Sequence, residues 1–214
     1  MKDIAIYGAG GYGREVACLI NKINLEEPCW NFIGFFDDSV PAGVSNDYGT
    51  VLGNLDILNK WEHNLYLVFA IGSPSSVRLI VNKITNTKIS FPNLFSPGIS
   101  FLDYSSLSLG IGNIFCEGCF ISCNVRIGNF NTFNDFTSIG HDSSIGDFNA
   151  FMTAVRISGD VNIGNGNYFG VNSCIIQGVR IGNDTTIAAG SAVLRRTRDG
   201  YTYMGVPASA LIIK

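Results

Sequence analysis

From Leu109 to Val193 a large apolar residue returns at every sixth position, fifteen times without a break: Leu109, Phe115, Ile121, Ile127, Phe133, Ile139, Ile145, Phe151, Ile157, Ile163, Phe169, Ile175, Ile181, Ile187 and Val193. A helix repeats its face about every 3.6 residues and a strand every second residue, so neither holds a stripe spaced by six. Short strands joined by tight corners do hold one. Three hexapeptides then make one triangular coil with the apolar residue pointing inward, and fifteen repeats give 15/3 = 5 coils. Each coil rises by about 4.8 Å, the spacing of hydrogen-bonded strands. Four residues after each apolar position the side chain is small or medium-sized, from Asn113 and Cys119 through to Thr197. Glycine follows the apolar residue in seven of the fifteen repeats, which predicts that it serves the corners.

The first half of the chain has a different grammar. Residues 4–13 read IAIYGAGGYG, a β-branched strand running into Gly8, Gly10, Gly11 and Gly13, with a helix expected from Arg14 to about Lys22. Such a strand, glycine turn and helix brings backbone N–H groups to a phosphate. A second strand, Phe32 to Phe36, ends in Asp37-Asp38, and a third, Leu65 to Ile71, ends in Gly72-Ser73 before a helix through Arg78. The expected architecture is an α/β Rossmann-like domain over 1–95, followed by a β-helix domain over 96–214. A dehydrogenase would place Asp37 or Asp38 on a ribose. However, about 90 residues are too few for a sheet that holds both halves of a dinucleotide, and the second domain offers no hydride chemistry.

Charge and cysteine narrow the partners. The net charge is −3 and charged residues are only 14% of the chain, so much surface is expected to be buried between subunits. No basic run exceeds Arg195-Arg196, which speaks against nucleic acid, and no apolar run approaches the roughly 18 residues of a membrane span. The strand-like start at Ile4 leads to an expectation of no signal peptide. The six cysteines suggest no secreted disulfide framework, so a cytoplasmic location is expected. Cys116 and Cys119 resemble half a zinc site without a second half, and no metal is expected.

Of two histidines, His63 precedes a strand and reads as a surface residue, whereas His141 falls at a corner of the coil between Gly140 and Asp142. Stacking at intervals of eighteen puts Cys123, His141, Gly159, Gln177 and Arg195 in one column. An imidazole there can accept a proton near neutral pH. Gly159 is expected to leave room for a thioester and a free N–H, and Arg195 to meet a phosphate. Cys123, one coil from His141, raises the rival possibility of a covalent relay.

The segments YGAGGYGREV, FFDD, AIGS, SIGHDSSIGDF, GVNSCIIQGVRIG and the closing GVPA resemble those of the NeuD/PglD-like bacterial sugar acyltransferases. This family includes sialic acid O-acetyltransferases and nucleotide-4-amino-sugar N-acetyltransferases. The resemblance implies a left-handed parallel β-helix, acetyl-CoA as co-substrate and a homotrimer with each cofactor site between two subunits. It implies His141 as general base supported by Asp142, and Asn134 on the acceptor amine, which favours N-acetylation of a nucleotide-linked 4-amino-deoxysugar. Gly159, Val171, Gln177, Ala189 and Arg195 would face the cofactor. Gly8, Gly10, Gly11, Tyr12, Gly72 and Ser73 would approach the phosphates or sugar, and Asp37 and Asp38 the nucleobase or ribose. One departure stands out: the family's second histidine, nine residues after the base, is Ala150 here, with Asn149 or a backbone group as its substitute. The alternatives are O-acetylation of a sialic acid or related sugar, and a non-catalytic β-helix that binds a sugar nucleotide.

Overall fold

The computed structural model describes residues 1–211. The chain divides into two compact units, Met1–Pro97 and Gly98–Lys214.

In the first unit, β1 (Lys2–Tyr7) lies between β2 (Trp30–Phe36) and β5 (Leu65–Phe69) and runs parallel to both. A short antiparallel pair, β3 (Ser45–Asn46) and β4 (Gly49–Gly53), extends the sheet beyond β2, and β6 (Ile89–Ser90) closes the other edge. Ile4, Ala5 and Ile6 of β1 are fully buried, as expected for a central strand covered on both faces. Helix α1 (Gly11–Glu26) is longer than the sequence suggested, because nothing in its last turns breaks it. It buries Gly13, Val16, Ala17 and Ile20, one stripe at helical spacing. Gly13 is required there: a Cβ would stand 2.0 Å from the Gly8 carbonyl oxygen. Helices α2 (Leu55–Asn59) and α3 (Pro74–Val81) start on side-chain caps, Asn54 and Ser73, and Pro74 opens α3 where no N–H is needed. The chain leaves β1 for β2 on one side and later returns to β5 on the other. The switch point therefore lies at the C-terminal ends of β1 and β5, where such sheets open a crevice.

The second unit is a parallel β-helix of two-residue strands. Its second face shows the register plainly, with Ile121, Ile139, Ile157, Ile175 and Val193 paired in sequence, each eighteen residues on. Of the fifteen apolar positions all but Leu109 are buried, and all fifteen residues four places on are buried too. Phe115, Phe133, Phe151 and Phe169 stack inside the first face with centroids 4.6, 4.8 and 4.5 Å apart. Beside them runs an asparagine ladder. Asn131 donates from its backbone and its amide to Asn113 Oδ1, Asn149 does the same to Asn131, and Asn167 to Asn149. These polar side chains are tolerated in the core because each amide is bonded to the next.

The corners differ from the sequence-based expectation. The left-handed residue lies three places after the apolar one, and nine of these positions are not glycine, among them Phe130, Phe136, Asp142 and Ala154. Eight of the nine N–H groups there bond a carbonyl of the preceding coil, as Asp142 N–H does with Cys123 and Asp160 N–H with His141, and the ninth, Asn124 N–H, donates to the Ser106 hydroxyl. Those bonds offset the cost of the left-handed backbone, about 1–2 kcal/mol per residue. The glycines directly after the apolar residue answer a different need. A Cβ on Gly140 would lie 2.4 Å from the backbone of Ser158, so these positions mark close approach between coils.

Candidate active site

Three edges run along the β-helix. The edge through Ile111, Asn129, Asp147, Asn165 and Asn183 is closed: the N–H of each residue donates to an Asn or Asp side chain of the following coil, ending on Asp199. The edge through Cys123, His141, Gly159 and Gln177 carries no such cap. Eighteen residues on from these positions stand His141, Gly159, Gln177 and Arg195, none of them Asn or Asp, and among the described residues the four N–H groups have no protein acceptor. This edge therefore presents a row of donors spaced by about 4.8 Å, suited to an extended ligand that carries amide carbonyls.

His141 and Asp142 sit on that open edge with side chains 51% and 53% exposed. Asp142 adopts φ +60°, which turns its carboxylate back so that Oδ2 lies 2.8 Å from Nδ1 of the adjacent imidazole. The second carboxylate oxygen accepts from the Asn124 amide at 3.1 Å. The His141 hydrogen bond first, and the Asn124 amide second, hold the Asp142 carboxyl below its usual range. A carboxylate at Nδ1 fixes the tautomer with the proton there, leaving the Nε2 lone pair as acceptor.

Gly159 underlies this imidazole. A Cβ on residue 159 would meet Nε2 at 2.4 Å and Cε1 at 2.5 Å. The space expected for a thioester at this residue is thus occupied by the histidine ring itself, which could not lie there above any other amino acid. Among the described residues the Gly159 N–H has no protein acceptor.

Asn134 lies on a different edge. Its amide faces Cys116 Sγ at 3.8 Å and Met152 Sδ at 3.6 Å. Val171 and Ala189 share that edge, whereas Gly159, Gln177 and Arg195 share the edge of His141. One chain does not bring the two sets together, because the second face separates them. That face and its margins expose Phe120, Phe136, Val171, Ile176 and Leu194. Arg156 crosses it to donate to the Phe136 carbonyl.

Asn149 does not replace the missing histidine. It is buried within the asparagine ladder, and its neighbour Ala150 is buried as well. Cys123 occupies the position one coil before His141, and its sulfur accepts from the Ser122 hydroxyl at 4.0 Å. Burial pushes the Cys119 thiol up to about 12, and no group of His, Cys, Asp and Glu among the described residues could hold a metal ion. His63 is exposed. None of the described helices is long and apolar enough to cross a membrane.

In the first unit, Gly8 and Gly10 lie in the turn after β1, Gly11 and Tyr12 open α1, and Gly72-Ser73 form the turn after β5. Gly8 has φ +114°, and a Cβ there would lie 2.5 Å from the Ala70 carbonyl oxygen, so the two turns touch. A Cβ at Gly10 or Gly72 would meet open space, which leaves the backbone of both accessible. The paired acids do more structural work than expected. Asp37 accepts from the N–H groups of Ala9, Ser39 and Val40. Asp38 accepts from the Tyr7 hydroxyl at 2.8 Å and from Leu55 N–H at 3.0 Å. Burial, and then the Asp38 hydrogen bond, raise the Tyr7 hydroxyl pKa well above its ordinary value. Asp37 and Asp38 thus tie the ends of β1 and β2 and the start of α2 into one platform.

A glycine-turn α/β domain ahead of a hexapeptide β-helix with an open histidine edge defines a two-domain hexapeptide-repeat protein. Residues 3–84 match the family model described as the PglD N-terminal domain. A GDP-perosamine N-acetyltransferase of Escherichia coli O157:H7 is 29% identical over 147 residues, 66% of this chain and 63% of that protein's length. Among solved structures, WeeI from Acinetobacter baumannii AYE matches 99% of this chain and 100% of its own, with TM-score 0.88 and 25% identity. PerB from Caulobacter crescentus, solved in complex with CoA and GDP-perosamine, matches 99% of this chain and 98% of its own, with TM-score 0.83 and 25% identity. Residues 3–84 thus match a PglD-type N-terminal domain, and the chain as a whole is similar to NeuD/PglD-like acetyltransferases, with an α/β domain followed by a left-handed parallel β-helix.

Proposed function

We propose that this protein is an acetyl-CoA-dependent N-acetyltransferase whose acceptor is the amine of a nucleotide-linked 4-amino-deoxysugar. The observation that carries the reading is the His141–Asp142 pair, held at 2.8 Å on the one edge where the imidazole lies beside uncapped N–H groups. The acetyltransferase relative and the solved relative that binds CoA with GDP-perosamine support the reaction class and both substrates.

In this mechanism the neutral amine attacks the thioester carbonyl and forms the C–N bond. His141 Nε2 takes the amine proton, while Asp142 stabilises the resulting imidazolium. The N–H of Gly159 donates to the oxyanion. The C–S bond then breaks, and the proton held on Nε2 passes to the departing thiolate, leaving an amide and free CoA. Asn134 orients the acceptor amine from a second copy of the chain. The apolar second face, which lies between the His141 and Asn134 edges, is the surface that joins the copies into a homotrimer. Light scattering at working concentration should give a trimer, and a monomer with full activity would exclude this arrangement. In the first domain the turns after β1 and β5 hold the phosphates of the nucleotide sugar.

The test is thiol release from acetyl-CoA against a panel of free amino sugars, nucleotide-linked 4-amino sugars and sialic acids. Turnover confined to the nucleotide-linked amines supports the proposal. Turnover with sialic acids alone would make the protein an O-acetyltransferase, and turnover with none would make it a binding protein.

A further inference from the structure

Four residues stand in one column beside the open edge, each at the left-handed position of its corner: Asn124, Asp142, Asp160 and Gly178, with φ of +56°, +60°, +55° and +76°. Three of their N–H groups bond a backbone carbonyl one coil back, Asp142 that of Cys123, Asp160 that of His141 and Gly178 that of Gly159. The first of the column does not. The Asn124 N–H donates to the Ser106 hydroxyl at 2.8 Å, because a single 3-10 turn, Tyr104–Ser106, stands there in place of a hexapeptide corner. Asp103 caps that turn, its carboxylate accepting from the Ser105 N–H at 3.1 Å and from the Ser105 hydroxyl at 2.6 Å. The Ser106 hydroxyl donates its only proton to the Asp103 carbonyl at 3.1 Å, which leaves its lone pairs for Asn124.

Held by its backbone in this way, Asn124 directs its amide at the next coil. Its Nδ2 lies 3.1 Å from Asp142 Oδ1, while Asp142 Oδ2 lies 2.8 Å from His141 Nδ1. An ionised carboxylate only accepts, so the amide must present its N–H groups to it. Among the described residues these are the two side chains bonded to Asp142. The Asp142 side chain is half exposed, so water competes for both oxygens. A carboxylate held by His141 alone can turn about its Cα–Cβ and Cβ–Cγ bonds, and a second bond from the neighbouring coil fixes its plane. The Asn124–Asp142 bond joins two exposed side chains, so it adds little to the stability of the fold. It acts instead on the carboxylate that selects the His141 tautomer.

We propose that Asn124, seated by the Ser106 hydroxyl, is a positioning residue for the base: its amide holds the Asp142 carboxylate against Nδ1, so that Nε2 of His141 keeps its lone pair free to take a proton. This inference rests on the acetyltransferase reading above and adds to it a residue one coil away from the chemistry. The site thereby extends along a chain of bonds from the 3-10 turn through Ser106, Asn124 and Asp142 to His141. The other titratable side chains beside the pair in these columns are Cys123, one coil before His141, and Asp160, one coil after Asp142. Neither bonds the Asp142 carboxylate.

Nitrogen-15 NMR of the full chain, labelled at histidine, reads the tautomer directly. With His63, exposed and the only other histidine, replaced by Gln, the imidazole signals belong to His141. At about pH 8, above the ordinary imidazole pKa of about 6.5, the wild type should carry its proton on Nδ1. Asn124→Gly removes the amide and keeps a residue that favours the left-handed backbone. Asn124→Asp keeps the shape but sets a second carboxylate against Asp142. Both should move the proton in part to Nε2, the second variant further than the first, and Ser106→Ala should move it in the same direction. In Asn124→Gly kcat should fall about tenfold, the order of one hydrogen bond to a charged group, with KM for acetyl-CoA and the melting temperature nearly unchanged. A wild-type tautomer in both Asn124 variants would overturn the proposal, as would a loss of activity that tracks a lowered melting temperature with the tautomer unmoved. A wild-type tautomer in Ser106→Ala alone would overturn the seating by that hydroxyl. Absence of turnover by the wild type with every donor and acceptor would instead remove the acetyltransferase reading, and the tautomer would still decide the role of Asn124.

Discussion

The imidazole of His141 lies directly over Gly159, so close that a single methyl group on residue 159 would stand 2.4 Å from Nε2. The base is therefore positioned from two sides, by Asp142 at Nδ1 and by the bare backbone of the next coil under the ring. Gly159→Ala should displace the ring while leaving the coil intact. A misplacement of about 1 Å can cost 10²-fold in rate, and kcat should fall by that order with the melting temperature nearly unchanged. A Gly159→Ala enzyme with wild-type kcat would show that the ring does not act from this position.

The Asp142 carboxyl is held below its usual range by its hydrogen bonds to His141 and, second, Asn124. Because the folded value is depressed, the stabilisation it brings is complete above the unfolded carboxylate pKa of about 3.9 and is lost as pH falls through the depressed value. The His141 orientation should accordingly persist through neutral and mildly acid solution. Carbon-detected NMR titration of Asp142 should give a midpoint below that reference, moving upward in Asn124→Ala. A midpoint at or above the reference in the wild type would contradict the pairing.

Asn149 offers a test of core against cofactor. Its Oδ1 accepts from the backbone and amide of Asn167, and its own N–H groups reach Asn131. Asn149→Ala leaves these buried groups without partners, at about 1–3 kcal/mol for each unsatisfied group, and the melting temperature should drop. KM for acetyl-CoA in the folded protein should not change. A raised KM with unchanged melting temperature would place Asn149 at the cofactor after all.

That residue also shows what the sequence does and does not carry. Reading in steps of six found the buried column, and fourteen of its fifteen members are interior; only Leu109, on the first strand of its face, is not buried. Asn113, Asn131, Asn149 and Asn167 were visible as small residues, yet their role appears only when the column is read in steps of eighteen, because hydrogen bonds run between coils. The same stride separates the three edges. Asn134 and His141 are seven residues apart in sequence but belong to different corners, so proximity in the chain did not mean proximity in one site. The left-handed positions were missed for a different reason. Phe130 and Phe136 have no local preference for that backbone, and the interchain-like ladder of coil-to-coil bonds imposes it. In the first domain FFDD marks the end of β2, but Asp37 and Asp38 bond to the chain itself, which only the fold can reveal.

The most direct test of the central claim is the rate of acetyl transfer to a nucleotide-linked 4-amino sugar by His141→Ala, measured beside its affinity for acetyl-CoA. Removal of a general base lowers the rate by about 10²–10⁴-fold, and kcat should fall by that amount with donor affinity nearly unchanged. Turnover at the wild-type rate would contradict a mechanism in which Nε2 of His141 takes the proton from the attacking amine.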